Sequence, residues 1–507
     1  MRGIFLGILS LLVPAAYPAT GAPRVSSKSK TLVICDDTQE PPTLNPYQAF
    51  SEKIYILIQQ VLEGLVRFGP DGEFEPCLAE RWRRINPTTM RFFLRKGVIF
   101  HNGESLDAKA VKFSLEKYVD PQTHYLGIGF VGTISAVNII DDHTVDVITH
   151  APDGLLLNRL AGFVLIVPPD YYRAVGDNGF ATHPIGTGPF QFDHWEKGHS
   201  IVMRSNRKYW MPGFPKVDRL VFDFMPTDDQ VNKLLSGEVD ILTSLPGTRT
   251  LDVQRNEKTY VIKKPSFYTM VGNFNLSRRP FSDRRVRQAL NLGFNREDLV
   301  RYDLLGNGIT IGTISLPGEF GHNDSVRPYP YDPREAKRLL AEAGYPNGLT
   351  LKVLLKVNAD RVGKVLASQL EAIGVHLKIT RYTEAEIPQY FQNDKQMEWD
   401  MMISDCPDPM NNAYFIRSIY LEPMSPFSFH SQPILGEKLA QLVGELDPKK
   451  QKSISEEIDR YIHDESLVLP TYQRIVTYGA KRGVHFTPYL LGMPYFFATS
   501  VEDANAK

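Results

Sequence analysis

Cysteine is scarce in this chain: 3 in 507 residues, Cys35, Cys77 and Cys406, far apart and with no C-x-x-C pair. An odd count leaves at least one thiol unpaired even in an oxidising compartment. One bridge stays open as an alternative, but the three read first as small buried hydrophobes. A basic excess is also missing: 57 basic residues stand against 58 acidic ones, which argues against a nucleic-acid footprint. The 12 histidines are scattered, without H-E-x-x-H or a close pair at metal-ligand spacing, so no protein-built zinc site is indicated. There is no G-x-S-x-G elbow and no G-x-x-x-x-G-K-[ST] loop, so neither a serine hydrolase nor an ATPase is announced. Internal repeats and low-complexity linkers are absent, and beyond the N-terminus no segment is long and apolar enough to cross a bilayer.

One formal motif is present. Gly127-Ile128-Gly129-Phe130-Val131-Gly132 matches G-x-G-x-x-G, but a dinucleotide site needs a strand before it and a helix opening after it. His124-Tyr125 precedes the glycines and residues 133–140 look like a strand, so the stretch reads as a flexible glycine loop. No cofactor is implied.

With 42% hydrophobic and 23% charged residues the chain is ordinarily globular, and its length implies several domains. Arg2, the apolar run from Ile4 to Val13 and the small residues up to Ala22 have the form of a secretory leader cleaved after Ala22. That run has roughly half of the ~20 residues a membrane span requires. With no cysteine at the cleavage region, a soluble periplasmic protein without a lipid anchor is expected.

Residues 61–116 carry the most information. Ile54, Leu57, Ile58, Val61, Leu62 and Leu65 fall on one helical face, and Gly69-Pro70-Asp71-Gly72 is a turn. Met90, Phe92 and Leu94 alternate with Arg91, Phe93 and Arg95 in a half-buried strand. After His101-Asn102-Gly103, Ser105 can cap a helix whose inner face is Val111, Leu115 and Tyr118. Further on, Asp332-Pro333-Arg334-Glu335 is an N-cap with proline at the first helical position, and Gly344 with Pro346 stops that helix. Strand-like 349–357, an amphipathic helix over 362–373 and strand-like 375–379 predict a parallel pair with a right-handed crossover.

The wording of these segments resembles family 5 of the bacterial extracellular solute-binding proteins, the peptide, nickel and oligosaccharide receptors of ABC importers. Besides 61–116, the phrases are Gly186-Thr187-Gly188-Pro189-Phe190 with Trp195 and Tyr209-Trp210, Leu235 to Asp240, Phe281 to Ala289, and Trp399 to Pro409. They stand in the family's order from about Leu32 to the C-terminus.

The resemblance implies an α/β periplasmic-binding-protein type II fold with two hinged lobes and an extra inserted domain. Its expected bounds are 1–22 for the leader; 23–58, 185–270 and 475–507 for lobe I; 59–184 for the insertion; and 271–474 for lobe II. Two crossings, near 266–274 and 470–478, would form the hinge. It also implies a receptor rather than an enzyme, a monomer that hands its ligand to permease subunits with an associated ATPase.

Candidate ligand residues follow from the same source. Family peptide receptors use an aspartate near Asp405-Cys406-Pro407-Asp408-Pro409 for the ligand ammonium; Asp408 is favoured and Asp405 is the substitute. Both carboxylates could instead cap turns, as Asp-Pro does. Asn411 and Asn412 can serve peptide groups, and Tyr414 and Phe415 can wall a pocket or pack within a helix. Asn45 belongs to a segment that lies at the cleft in relatives, and Tyr268 and Asn273 lie at the presumed crossing. Trp399 is a gate or a core residue. Some dipeptide receptors carry an arginine on the strand equivalent to 349–357; here the strand offers only Lys356, or Arg361 after it. The expected cargo is a di- or oligopeptide, with oligosaccharide, nickel chelate, haem or a conjugate as alternatives, and a secreted hydrolase as the rival from another class.

Overall fold

The computed structural model describes residues 29–36, 40–48, 51–383, 386–391, 395–423, 425, 427–429 and 432–502. The expected leader lies outside the described residues. The fold is α/β, organised on one eleven-stranded mixed sheet. At one end lie the parallel strands Val375–Tyr382, Leu349–Lys356 and Met401–Pro407. At the other lie Ile241–Leu242, Thr31–Cys35, Arg219–Asp223, Ser200–Ser205 and Phe190–Glu196.

Two long antiparallel strands, Thr259–Phe274 and Val468–Lys481, join these halves. The first part of each pair, Thr259 to Pro265 on Lys481 to Ile475, runs beside Ile241–Leu242; the second, Thr269 to Asn273 on Gln473 to Val468, runs beside Met401–Pro407. The ladder slips between Pro265 and Thr269, where the chain leaves one half for the other. A break in register bends a strand pair and interrupts its pairing locally, and this one falls inside the crossing.

A separate four-stranded antiparallel sheet, Ala79–Asn86, Thr89–Leu94, Thr144–Thr149 and Ile134–Asp141, stands between the first two contributions to the large sheet. The alternation at 90–95 folds as its pattern requires: Met90, Phe92 and Leu94 are buried while Arg91 and Phe93 are half-buried. The cap at Asp332 forms as read, its Oδ1 accepting from the Arg334 and Glu335 amides at 3.1 and 2.9 Å.

Three local expectations change. Ser105 pairs with Ile99 in a β-bridge, and the cap passes to Asp107, which accepts from the amides of Lys109 and Ala110. The glycine loop is a helical turn, Ile128–Val131, fixed by the Arg159 guanidinium on the Phe130 carbonyl at 2.7 Å. The helix at Glu52–Ile58 stops before Val61, although Val61, Leu62 and Leu65 remain buried. All three thiols are buried and unpaired, and burial pushes Cys35 up to about 12.

Candidate functional site

A cavity of about 890 Å³ opens where the crossing strands pass between the two halves; ligand sites commonly span ~300–1,000 Å³. Strand alternation decides what faces it. Ser266, Tyr268 and Met270 line it from one crossing strand, and Tyr472, Arg474, Val476 and Tyr478 from the other. Phe267, Thr269 and Val271, between them, turn into the protein and are buried. Lys356 and Asn358 reach in from the end of Leu349–Lys356 and the turn after it, and Asp405 from Met401–Pro407. The opposite wall carries Asp36, Glu40, Glu52, Thr243 and Ser244.

Asp405 is the centre of the polar contacts. Its Oδ2 accepts from the Tyr268 hydroxyl at 2.5 Å and from the Asn358 amide, and Lys356 Nζ stands 3.0 Å from Oδ1. Burial opposes its charge, but Lys356, Tyr268 and Asn358 outweigh that and hold the carboxyl below its ordinary value. The Arg474 guanidinium lies over the Tyr268 ring, 5.4 Å from its centre, and donates to Ser244 Oγ at 3.0 Å. Asp36 accepts from Thr243 Oγ1. Glu40 takes the Trp195 indole at 2.7 Å and the Gly198 amide at 2.9 Å, so it also ties its own segment to the sheet.

Of the residues expected from sequence, Asp405, Tyr268 and Lys356 meet in this cavity. The others stand elsewhere. Asp408 is fully buried, its two oxygens accepting from the Met410 and Asn412 amides at 2.7 Å each. Asn411 donates to the Gly72 carbonyl at 2.6 Å, and Asn412 accepts from the Tyr414 amide. Tyr414 and Phe415 begin a buried helix, with Phe415 packed on Phe130 and Phe163 and Tyr414 under Arg159. Asn411, Tyr414 and Phe415 fasten the 408–415 segment onto the 59–184 region, helped by Asn158, which donates to the Met410 carbonyl at 2.7 Å. Asn45 donates to the Tyr172 hydroxyl and Asn273 to the carbonyls of Tyr420 and Phe427; the Trp399 carbonyl accepts from Asn275.

Sequence reading missed Arg474, Asn358, Asp36, Glu52 and Ser244. A signal for Arg474 was present: Tyr472, Arg474, Val476 and Tyr478 recur at every second residue of a stretch read as a crossing, and one face of a crossing strand must look into the cleft.

Asp408 has a second neighbour, the buried carboxyl of Glu319, whose Oε2 accepts from the Leu316 amide at 2.7 Å. Burial raises Asp408 to about 7 and Glu319 well above its ordinary value, with Asp408's charge adding to the latter and Arg417 opposing it. Such a pair keeps a proton that the unfolded chain releases near pH 4. The folded state therefore binds more protons, and stability must fall as pH rises through that window, at up to ~1.4 kcal/mol per pH unit for each proton retained. Thermal denaturation is expected to give a lower Tm at pH 8 than at pH 5, and Glu319→Gln, uncharged and still able to donate to Asp408, should flatten the dependence. An unchanged slope in the variant would show that the pair is not its source.

The family model for bacterial extracellular solute-binding proteins, family 5 Middle, matches residues 73–422. Among curated proteins, the glutathione-binding protein GsiB of Salmonella paratyphi A is 29% identical over 384 residues, covering 74% of this chain and 72% of that one. Among solved structures, AgaA from A. tumefacien R10, in complex with agropinic acid, aligns with a TM-score of 0.81 at 24% identity over 94% of this chain and 99% of its own. DppA from Helicobacter pylori, a periplasmic binding protein in complex with the peptide STSA, gives 0.81 at 23% identity, covering 93% and 98%. The fold is that of these receptors, with its lobes and extra domain.

Proposed function

We propose a peptide-capturing role for this chain, which belongs to the bacterial extracellular solute-binding proteins, family 5. The family's task is to bind a solute for an ABC importer. The cargo proposed here is a short peptide or peptide-like zwitterion, taken up by closure of the two halves and delivered to a membrane permease by a monomeric, periplasmic, non-enzymatic receptor. Among the described residues no helix is long and apolar enough to cross a membrane.

The observation that carries the cargo reading is the cavity's mixed charge. Four acidic side chains (Asp36, Glu40, Glu52, Asp405) and three basic ones (Lys53, Lys356, Arg474) line it. Neutral sugar does not call for such a lining, and sugar-type stacking on tryptophan finds no tryptophan among the described lining residues. A peptide ammonium and carboxylate match it, with Asp405 for the first and Lys356 or Arg474 for the second. Tyr268, Tyr472 and Tyr478 provide apolar wall with polar tips. The chemistry of relatives is in keeping: one is named for glutathione, a tripeptide, and a structural neighbour holds a tetrapeptide.

Ligand that bridges both halves stabilises the closed state by its differential affinity for it. Saturation with a panel of short peptides, glutathione included, should raise the Tm by an amount that grows with concentration. It should also reduce the radius of gyration in small-angle scattering. A radius that stays the same on saturation would count against closure. A shift with oligosaccharide or a nickel–amino-acid chelate, and none with peptides, would replace the cargo.

A further inference from the structure

The four-stranded sheet gathers positive charge in one hairpin. From Arg81 to Lys96 the chain carries six basic side chains and no acidic one, although the whole protein is balanced, with 57 basic against 58 acidic residues. The helix Ala108–Val119 packs on Ile134–Asp141 and Thr144–Thr149 and covers one face of the sheet, where Val111, Leu115, Val137, Val145 and Val147 are buried. Three of the six bases are spent within the fold. Arg84 donates to the Asp153 carbonyl at 2.8 Å, Arg95 to the Cys77 carbonyl at 2.6 Å, and Arg91 to both oxygens of Asp146, at 2.7 and 2.8 Å. Lys96 is exposed beyond the hairpin's second strand, and its charge acts on Asp141. Arg81 and Arg83 remain, exposed on the other face of the edge strand Ala79–Asn86, directly opposite Phe93 and Arg91. Their guanidiniums lie over the Phe93 ring, 3.6 and 5.8 Å from its centre, and among the described residues neither pairs with a carboxylate. Like charges facing each other across a strand pair are destabilising, so a partner of opposite charge is favoured on this face.

We propose that this face docks on a bilayer containing anionic phospholipid, with Arg81 and Arg83 as its phosphate contacts. A guanidinium spread on an aromatic ring keeps a planar edge of N–H donors outward, a fork that matches phosphate oxygens. Two such groups on a flat sheet suit a plane of headgroups. Ile85 and Ile140, 42% and 48% exposed near the ends of the sheet's two edge strands, add apolar contact of the kind that enters the headgroup boundary. None of these residues lines the cavity, so a docked receptor keeps its cleft accessible to solute. On the proposed function, the face holds the receptor in the plane where its permease lies, whatever the cargo.

Co-sedimentation of the intact receptor with vesicles tests this. Vesicles of equal parts phosphatidylcholine and phosphatidylglycerol should bind it about ten-fold or more tighter than phosphatidylcholine alone, and the preference should shrink as added salt shortens the screening length. That comparison needs no variant. Arg81→Gln together with Arg83→Gln should weaken binding to the anionic vesicles about thirty-fold, the combined worth of two basic side chains at such a surface. Arg207→Gln together with Arg255→Gln removes the same charge from exposed positions elsewhere and should leave binding within about two-fold. Equal binding to the two kinds of vesicle, or an equal loss in both double variants, would overturn the docking face. Capture of poly-glutamate through Arg81 and Arg83, with no binding to the anionic vesicles, would overturn the bilayer and give the face to an acidic polypeptide.

Discussion

Asp405→Asn is expected to lower affinity for a peptide-like ligand by about two to three orders of magnitude. The substitution keeps the shape of the side chain and the contacts with Tyr268 and Asn358, but it removes the charge that faces the ligand ammonium. Losing one partner of a buried, hydrogen-bonded charge pair costs ~2–5 kcal/mol, and each ~1.4 kcal/mol is a factor of ten. N-acetylation of the ligand should weaken wild-type binding to a similar degree, and the two losses should not add, because they delete the same contact. Calorimetry on the four combinations tests this, and additive losses would move the ammonium site elsewhere. Asp408→Asn provides the contrast: it alters a carboxylate whose oxygens both serve backbone amides, so it should change Tm and its pH dependence while affinity stays within about three-fold. Because the Asp405 carboxyl is held below its ordinary value, binding through it should be level from neutral pH down to the usual carboxylate range and weaken only below that.

Arg417→Met is expected to lower stability by ~3–5 kcal/mol, the usual consequence of leaving one member of a buried ion pair behind. Arg417 Nη2 and Asp459 Oδ1 are 2.7 Å apart with both side chains fully buried. Asp459 also accepts from Thr313, Ser315 and the Asn323 amide, at 3.0, 2.6 and 3.0 Å. With the arginine gone, the nearest cationic candidate among the described residues is His322, 4.0 Å away, a ring whose charge burial opposes. Urea denaturation should show the midpoint falling, and the double change Arg417→Met with Asp459→Leu should recover much of the loss, since it removes both charges together. If the single variant lost less than ~1 kcal/mol, the level of an exposed ion pair, the network would be structurally incidental. The pair braces the helix Tyr414–Leu421, whose first residues fasten the 408–415 segment to the 59–184 region, so closure should suffer with stability.

The parts of this fold that were legible in the sequence are those set by neighbours a few residues apart. The cap at Asp332, the buried face of Thr89–Leu94 and the parallel pair at Leu349–Lys356 each depend on local spacing. The choice between Asp405 and Asp408 depends on something else, where the strand ends. Asp405 is inside Met401–Pro407 and paired opposite Met270, so alternation aims it at the cavity. Asp408 comes one residue after the strand and folds back onto the next amides. Its Asp-Pro-Met-Asn-Asn context is turn chemistry that favours that outcome, but a strand end set by tertiary pairing is not written at that spot. Glu319 could not be foreseen as its neighbour, since only the folded chain brings the two carboxyls together. Arg474 was hidden for the opposite reason: its stripe was visible, yet a charged residue on a buried crossing gains meaning only when a cavity is known to lie beside it.

The crossing strands have one more consequence. Tyr268 and Arg474 are at once wall of the cavity and part of the ribbon that slips in register between Pro265 and Thr269. On the proposed function, the residues that read a solute are also the joint that answers it. Selection for a new solute at these positions alters the ease of bending, and selection for faster bending alters what is recognised. On that reading affinity and throughput cannot drift independently, and a lineage that changed its diet would be expected to carry the mark in the joint as well as in the floor of the cleft.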